Sequence, residues 1–150
     1  MRAILIDPFN RAITQINLAK GLPAIYAALS PDPAFKVDCF TVLQLASDVW
    51  GYGDDEGFLK PGNACFKLHC YPSPLAGAWL LTGGDDEGDS RDLPARITAE
   101  NVPAIVTWLT GKASGDFEPS TTGEIDHPVM GKVPAIIGGA PILREPDAEA

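Results

Sequence analysis

The sequence predicts an α+β fold with a largely antiparallel sheet, two short helices and a Pro/Gly-rich C-terminal tail. Strand-like apolar runs are grouped along the chain, and only two segments show helical spacing. Grouped strands are typical of α+β domains, whereas regular strand–helix alternation is typical of doubly wound sheets. From the length of 150 residues, the 15 glycines and the 14 prolines, we expect one domain over residues 1–111 and a tail over residues 112–150.

The N-terminal part is predicted to begin with a β-hairpin. RAILID is continuously apolar, AITQIN alternates, and the intervening DPFNR is rich in turn residues. GLPAIYAALS then has apolar residues at helical spacing and Pro23 in the first turn, which predicts a short amphipathic helix. The alternation in FKVDCFTVLQL predicts another strand.

The middle of the chain contains the acidic tetrapeptide DDEG twice, at residues 54–57 and 85–88. We expect the first copy to join two short strands within DVWGYGDDEGFLK, and CFKLHCY and AGAWLLTG to form a further strand pair around PSPL. Aspartate caps turns and glycine accepts positive φ, so each copy predicts a turn with solvated acids. Gly57 and Gly88 are then the positions expected to hold positive φ.

The C-terminal part is predicted to contain the second helix and the tail. TAENVPAIVTWLTG has an apolar stripe at helical spacing, Thr98 or Asn101 as N-cap and Gly111 as the stop. No sustained period follows Lys112. The segment VPAIIGGAPIL, residues 133–143, is too apolar to remain solvated, so we expect it to pack on its own sheet or on another copy. The tail is therefore a candidate site of self-association.

The charge distribution favours a protein partner with a basic surface. The net charge is −9, and residues 85–126 contribute −7 from ten acids and three bases. Direct nucleic-acid binding is disfavoured because it requires a basic footprint, whereas a basic partner surface is attracted. The candidate partner-binding residues are the acids of the two turns and a tryptophan at the edge of the predicted helix stripe: Asp54, Asp55, Glu56, Asp85, Asp86, Glu87, Asp89 and Trp108.

No membrane association is expected. No segment reaches the roughly 18 apolar residues that a spanning helix needs, and the N-terminus lacks the pattern of a signal peptide. Cys39, Cys65 and Cys70 are an odd number at spacings that form no disulfide framework, which agrees with reduced thiols. We expect a cytoplasmic protein.

The sequence predicts no cofactor, no metal site and no catalytic residue. DDEGDSRDLPAR lacks the alternating oxygen ligands and closing glutamate of a calcium loop. Cys65 and His69 share one strand face while Cys70 points to the other, which opposes a zinc site even with Cys39 or His127 as further ligands. His127 has no reliably oriented carboxylate partner, and a solvated or satisfied histidine is the preferred interpretation.

Three blocks of sequence carry a family resemblance. RAILIDP, GYGDDEGFLK and YPSPLAGAWLLTGGDDEGDSRDLP together resemble a family of small proteins of unknown function encoded by bacteriophages and plasmids. The resemblance covers about residues 1–110 and implies no catalytic residues. It implies an accessory protein of a mobile element, and the tail after Lys112 departs from the pattern.

Three functions follow as hypotheses. The first is a non-enzymatic accessory protein that binds a basic surface of a host protein, such as a nuclease or defence factor. The second is a metal-dependent hydrolase that uses the acidic loops. The third is a protein that sequesters a small ligand such as a nucleotide, in a pocket between the sheet and the second helix near Trp108.

Overall fold

The computed structural model describes residues 1–145, and these residues form one α-helix and thirteen β-strands. The helix α1 spans Leu22–Leu29, and short 3₁₀ helices span Pro33–Phe35, Gly57–Leu59 and Val102–Ile105. The strands are β1 (Arg2–Asp7), β2 (Ala12–Asn17), β3 (Phe40–Ala46), β4 (Val49–Asp54), β5 (Cys65–Leu68), β6 (Leu75–Ala76), β7 (Trp79–Gly84), β8 (Ser90–Arg91), β9 (Val106–Trp108), β10 (Lys112–Phe117), β11 (Ser120–His127), β12 (Gly131–Gly138) and β13 (Pro141–Arg144).

The main sheet has the strand order β2-β1-β7-β4-β3, with β8 paired to the end of β7. Every pairing in it is antiparallel, so the predicted α+β class with a largely antiparallel sheet is confirmed. The N-terminal hairpin is also confirmed, with Arg2 opposite Asn17 and Asp7 opposite Ala12. Its turn is capped by Asp7, whose Oδ1 accepts hydrogen bonds from the amides of Phe9 and Asn10.

Helix α1 covers one face of the main sheet. Ala3, Tyr52 and Leu80 point to this face and pack with Leu29 of the helix. The side chains of a strand alternate between faces, so their neighbours along the strands point to the opposite side. The predicted first helix is thus confirmed, and its apolar stripe is what attaches it to the sheet.

A second sheet, with the order β6-β5-β9, covers the other face of the main sheet. Ile4, Ile6 and Leu81 of the main sheet pack there with Phe66 and Leu68 of β5. The expected pairing of the CFKLHCY and AGAWLLTG segments is limited to Cys65 with Ala76, because β5 pairs with β6 and β9 while β7 lies in the centre of the main sheet. The fold therefore has three layers: helix, main sheet and second sheet.

Trp79 occupies a site that glycines of the neighbouring strand leave open. Its indole ring lies over Gly53 and Gly51 of β4, and a Cβ atom added at Gly53 would overlap the ring. Trp79 is 4% exposed and belongs to the core between the two sheets. The alternate glycines in VWGYGD therefore make room for a large side chain across the strand pair.

The predicted second helix over residues 98–111 is wrong. The chain instead makes a turn in which Thr98 and Asn101 bond reciprocally to each other's amides, then the 3₁₀ helix Val102–Ile105, then β9. Val106, Thr107 and Trp108 are β-branched or aromatic residues that favour a strand, and β9 pairs with β5 in the second sheet.

Residues 112–144 form regular strands where the sequence showed no period. Strand β10 pairs with β13, and Ala113 and Leu143 pack with Cys65 on the outer side of the second sheet. Between these strands, β11 and β12 form a hairpin, residues 120–138, which we call the arm. Of the predicted packed segment 133–143, Leu143 contacts the core, whereas Ile136 is 77% exposed and Ile137 is 54% exposed.

Among residues 1–145, no helix combines the length and the apolar character needed to traverse a lipid bilayer.

Candidate functional site

The two DDEG tetrapeptides begin with the same aspartate-capped turn. In the first, Asp54 Oδ1 accepts a hydrogen bond from the amide of Glu56 at 3.0 Å, and in the second, Asp85 Oδ1 accepts one from Glu87 at 3.0 Å. The other carboxylate oxygen binds a cation six residues further along the chain. This cation is Lys60 for Asp54, at 2.5 Å, and Arg91 for Asp85, at 2.7 Å. Each tetrapeptide is therefore an aspartate-capped turn closed by an ion pair.

The context of the two turns differs. The second joins β7 to β8 as a hairpin, and Gly88 has φ +85° as expected. The first leads from β4 into a 3₁₀ helix, so the expectation of a strand pair around it is wrong. Gly57 does not have the positive φ expected of it. It is required instead by space, because an added Cβ would lie 3.0 Å from the backbone oxygen of Ala76.

The two turns lie at opposite ends of the main sheet. Asp54 ends β4, Asp85 follows β7, and the register of these antiparallel strands places Val49 opposite Gly83. Six residues of strand at about 3.3 Å each separate the turns by roughly 20 Å. The predicted site residues of the first turn and those of the second are therefore two separate acidic patches.

The predicted site residues also differ in accessibility. Five of them are exposed: Asp55, Glu56, Asp86, Glu87 and Asp89. Asp85 is half-buried, and the side chain of Asp54 is only 2% exposed beside Lys60. Trp108 is half-buried in β9, where its ring meets Phe66 edge to face with centroids 6.2 Å apart. Asp54 and Trp108 thus have structural partners within the protein itself.

The carboxylate of Asp85 is held in its charged form by its surroundings. The amide of Asp89, which donates to Oδ1 at 2.9 Å, and the guanidinium of Arg91 lower the pKa of Asp85 below its usual value. Hydrogen bonds and charges that favour the ionised form lower the pKa of any acid in this way. Asp85 therefore organises the second turn, while Asp86 and Glu87 extend from it into solvent.

The cysteines differ in exposure, and His69 directly precedes Cys70 in the chain. Cys65 is buried in β5, where burial raises the pKa of its thiol to about 11. Cys39 and Cys70 are exposed at other places. His127 Nδ1 accepts hydrogen bonds from the amides of Val129 and Met130 at 3.1 Å and so caps the turn of the arm. Within residues 1–145, no three side chains of the metal-binding types are grouped to hold an ion.

The arm presents an apolar face that sequence reasoning missed. The register pairs Ile125 with Val133, Gly123 with Ala135 and Thr121 with Ile137, so these residues share one face of the hairpin. No side chain of the arm is buried; Ile125 is 51% exposed. The opposite face carries mostly polar and charged residues: Thr122, Glu124, Asp126, Lys132, Pro134 and Ile136. The sequence signal that could have indicated this hairpin is the alternation of side-chain type in the two stretches on either side of the HPVMG turn.

The tip of the arm is apolar as well. Val129 is 88% exposed and Met130 is 72% exposed, and both follow Pro128 in the turn capped by His127. Tip and face together hold four of the ten exposed large hydrophobic residues among residues 1–145, namely Ile125, Val129, Met130 and Ile137. Exposed apolar surface of this kind typically marks an interaction site.

The chain matches none of the protein families, curated proteins or solved structures with which it was compared.

Proposed function

We propose that the protein is a non-enzymatic interaction protein that binds a partner protein through the arm. The observation that carries this function is the apolar face of the arm, on which Ile125 and Ile137 are exposed and Val133 and Ala135 are half-buried. An accessory role of this kind agrees with what the resemblance to phage and plasmid proteins implies. The host protein that it would bind carries an apolar patch bordered by basic residues.

The energetics of the hairpin support a covered face. A two-stranded hairpin is marginally stable in water unless its apolar face packs against something. Burying an isoleucine or valine side chain stabilises a complex by about 1.5–3 kcal/mol before ordering costs. Covering Ile125, Val133 and Ile137 therefore both strengthens the arm and supplies the anchor of an interface.

The face of the arm is a better docking surface than its edge. Pro134 lies inside β12, where the register with β11 is continuous from Ser120 to His127. Proline is accommodated in an edge strand when its missing N–H faces away from the paired strand. The outer edge of β12 then lacks one backbone N–H donor near its centre. Because strand addition needs that hydrogen bond, a further strand is disfavoured at this edge.

The acids near the arm favour a basic partner. The 3₁₀ helix Gly57–Leu59 packs on β10, the strand that leads into the arm. Asp55 and Glu56 directly precede this helix and are exposed, and Glu124 and Asp126 lie on the arm itself. Attraction between opposite charges speeds encounter and aligns the surfaces, while the apolar contacts determine how long the complex lasts.

Two neighbouring isoleucines provide a matched test. Ile137 lies on the apolar face and Ile136 on the opposite face, and both are exposed. A partner captured from host lysate is purified, and its affinity is measured for wild type, Ile137→Asp and Ile136→Asp. We expect Ile137→Asp to abolish binding and Ile136→Asp to bind as tightly as wild type. Only the aspartate at position 137 would be buried as a charge in the interface.

Equal affinity of the two variants would exclude the apolar face. Sedimentation of the protein alone tests the tail as a self-association site. A dimer that Ile137→Asp dissociates would identify the partner as a second copy rather than a host protein.

A further inference from the structure

A cavity of about 310 Å³ opens between the main sheet and the second sheet. Its floor is formed by Val49 and Leu81 of the main sheet, Leu68 of β5 and Val102 of the 3₁₀ helix, all of which are 5% exposed or less. Cys70 lies at the exposed rim. The cavity is therefore an apolar chamber with an entrance. None of the residues that line it belongs to the two DDEG turns or to the arm.

The polar side chains at this cavity already have partners. Arg96 donates two hydrogen bonds to the carboxylate of Asp48, at 2.7 and 2.5 Å. Asn101 accepts a hydrogen bond from the amide of Thr98 and donates one to the backbone oxygen of Arg96. The guanidinium charge is thus matched by a carboxylate, and the cavity offers a ligand mainly apolar contacts.

We propose that this cavity binds a neutral apolar molecule of about two to three aromatic rings. An apolar protein cavity of about 150 Å³ stays dry and takes up benzene. The present cavity has about twice that volume. A nucleotide, the example named in the third sequence-based hypothesis, would place phosphates and base edges against Val49, Leu68 and Leu81 without partners, at a cost in free energy.

Two dyes with one skeleton test the chemical class. N-phenyl-1-naphthylamine is neutral, and 1-anilinonaphthalene-8-sulfonate adds a sulfonate to the same rings. We expect the neutral dye to bind the full-length protein with enhanced fluorescence and to bind more tightly than the sulfonate. Absence of binding, or tighter binding of the sulfonate, overturns the proposal.

The cysteines locate the bound dye. Cys70 lies at the rim, whereas Cys39 is exposed near Asp55, at the other end of β3 from the cavity. At a dye concentration ten times its Kd, alkylation of Cys70 by iodoacetamide should slow by about tenfold, because only the free fraction reacts. Cys39 should react at its original rate. Equal slowing of both thiols, or of neither, contradicts binding at this cavity.

Variants on β3 separate the cavity from other apolar surface. Ala46 lines the entrance and is exposed, so Ala46→Phe should occlude it and lose the fluorescence enhancement. Gln44→Phe adds the same ring at an exposed position of the same strand, outside the cavity. This variant should retain the fluorescence enhancement. Ile137→Asp should also retain it, since the arm is a separate surface. If Ala46→Phe kept the fluorescence enhancement and Ile137→Asp lost it, the dye would be bound at the arm instead. If Ala46→Phe fails to fold, the pattern of alkylation in wild type decides.

Discussion

The carboxylate of Asp54 and the ammonium group of Lys60 lie 2.5 Å apart, with the Asp54 side chain 2% exposed and that of Lys60 24% exposed. The equivalent pair in the second tetrapeptide, Asp85 with Arg91, is far more accessible, at 25% and 64%. The same local motif therefore has two energetic roles. One copy holds a buried charge at the end of β4, and the other stabilises a surface turn.

Removing the cation should affect the two turns unequally. Lys60→Met leaves the buried carboxylate of Asp54 without its ion pair and should lower the free energy of unfolding by about 3 kcal/mol. Arg91→Met, at the same position of the motif, should cost much less stability because its ion pair is solvated. Urea denaturation of both variants measures the difference. Equal losses would show that burial does not distinguish the turns.

The site under Trp79 should not tolerate a methyl group. Gly53→Ala forces the indole ring or β4 to move and should destabilise the protein by about 1–3 kcal/mol or more, as overpacked cores do. Gly51→Ala meets the ring and Leu45 at 3.3 Å and should cost less. Thermal unfolding compares the two. A Gly53→Ala variant as stable as wild type would mean that Trp79 does not lie across β4.

Asp85 should titrate below an ordinary aspartate. Its pKa is lowered by the amide of Asp89 and by Arg91, so its contribution to stability is complete above the unfolded value of about 3.9. That contribution is lost as the pH falls through the lower folded-state pKa. NMR of the carboxyl carbon measures the pKa directly, and Arg91→Met should raise it part of the way back. An unshifted midpoint in wild type would contradict the hydrogen bonds to this carboxylate.

The two exposed acid pairs should differ in their effect on partner binding. Asp55→Asn with Glu56→Gln removes charge beside the strand that leads into the arm, and should slow association severalfold at physiological salt. Asp86→Asn with Glu87→Gln removes the same charge about 20 Å away along the sheet, beyond the Debye length of about 8 Å at physiological salt. Its effect should be smaller. Stopped-flow association rates at physiological and high salt make the comparison, and a larger effect of the second pair would place the docking site at β8.

Part of the candidate site was predictable because it is local in sequence. The DDEG turns were predicted from glycine and aspartate, and the basic residue six positions after each first aspartate was a further signal. The arm was not predicted, because its two alternating stretches contain Gly123 and Pro134, which weaken a strand pattern. Its apolar face became visible only when the register of β11 and β12 aligned Ile125 with Val133.

The second helix shows why apolar spacing alone was insufficient. Val102, Ile105, Val106 and Leu109 fit a helical stripe, yet only Val102 is buried. Phe66 and Leu68 of β5 offer a strand edge, and pairing satisfies the backbone of Val106–Trp108 while covering the core. A neighbouring strand that is distant in sequence thus outweighed a local preference.

The sequence by itself determined the N-terminal hairpin, helix α1 and the aspartate-capped turns, because their hydrogen bonds join residues that are close along the chain. Only the tertiary structure decided that the two acidic turns lie at opposite ends of one sheet, that Asp54 is buried and Asp86 exposed, and that an apolar cavity separates Val49 from Leu68. These properties depend on which strands pair and which faces meet. Such pairings join residues far apart in sequence, and the free energy that selects them comes from burying both surfaces together.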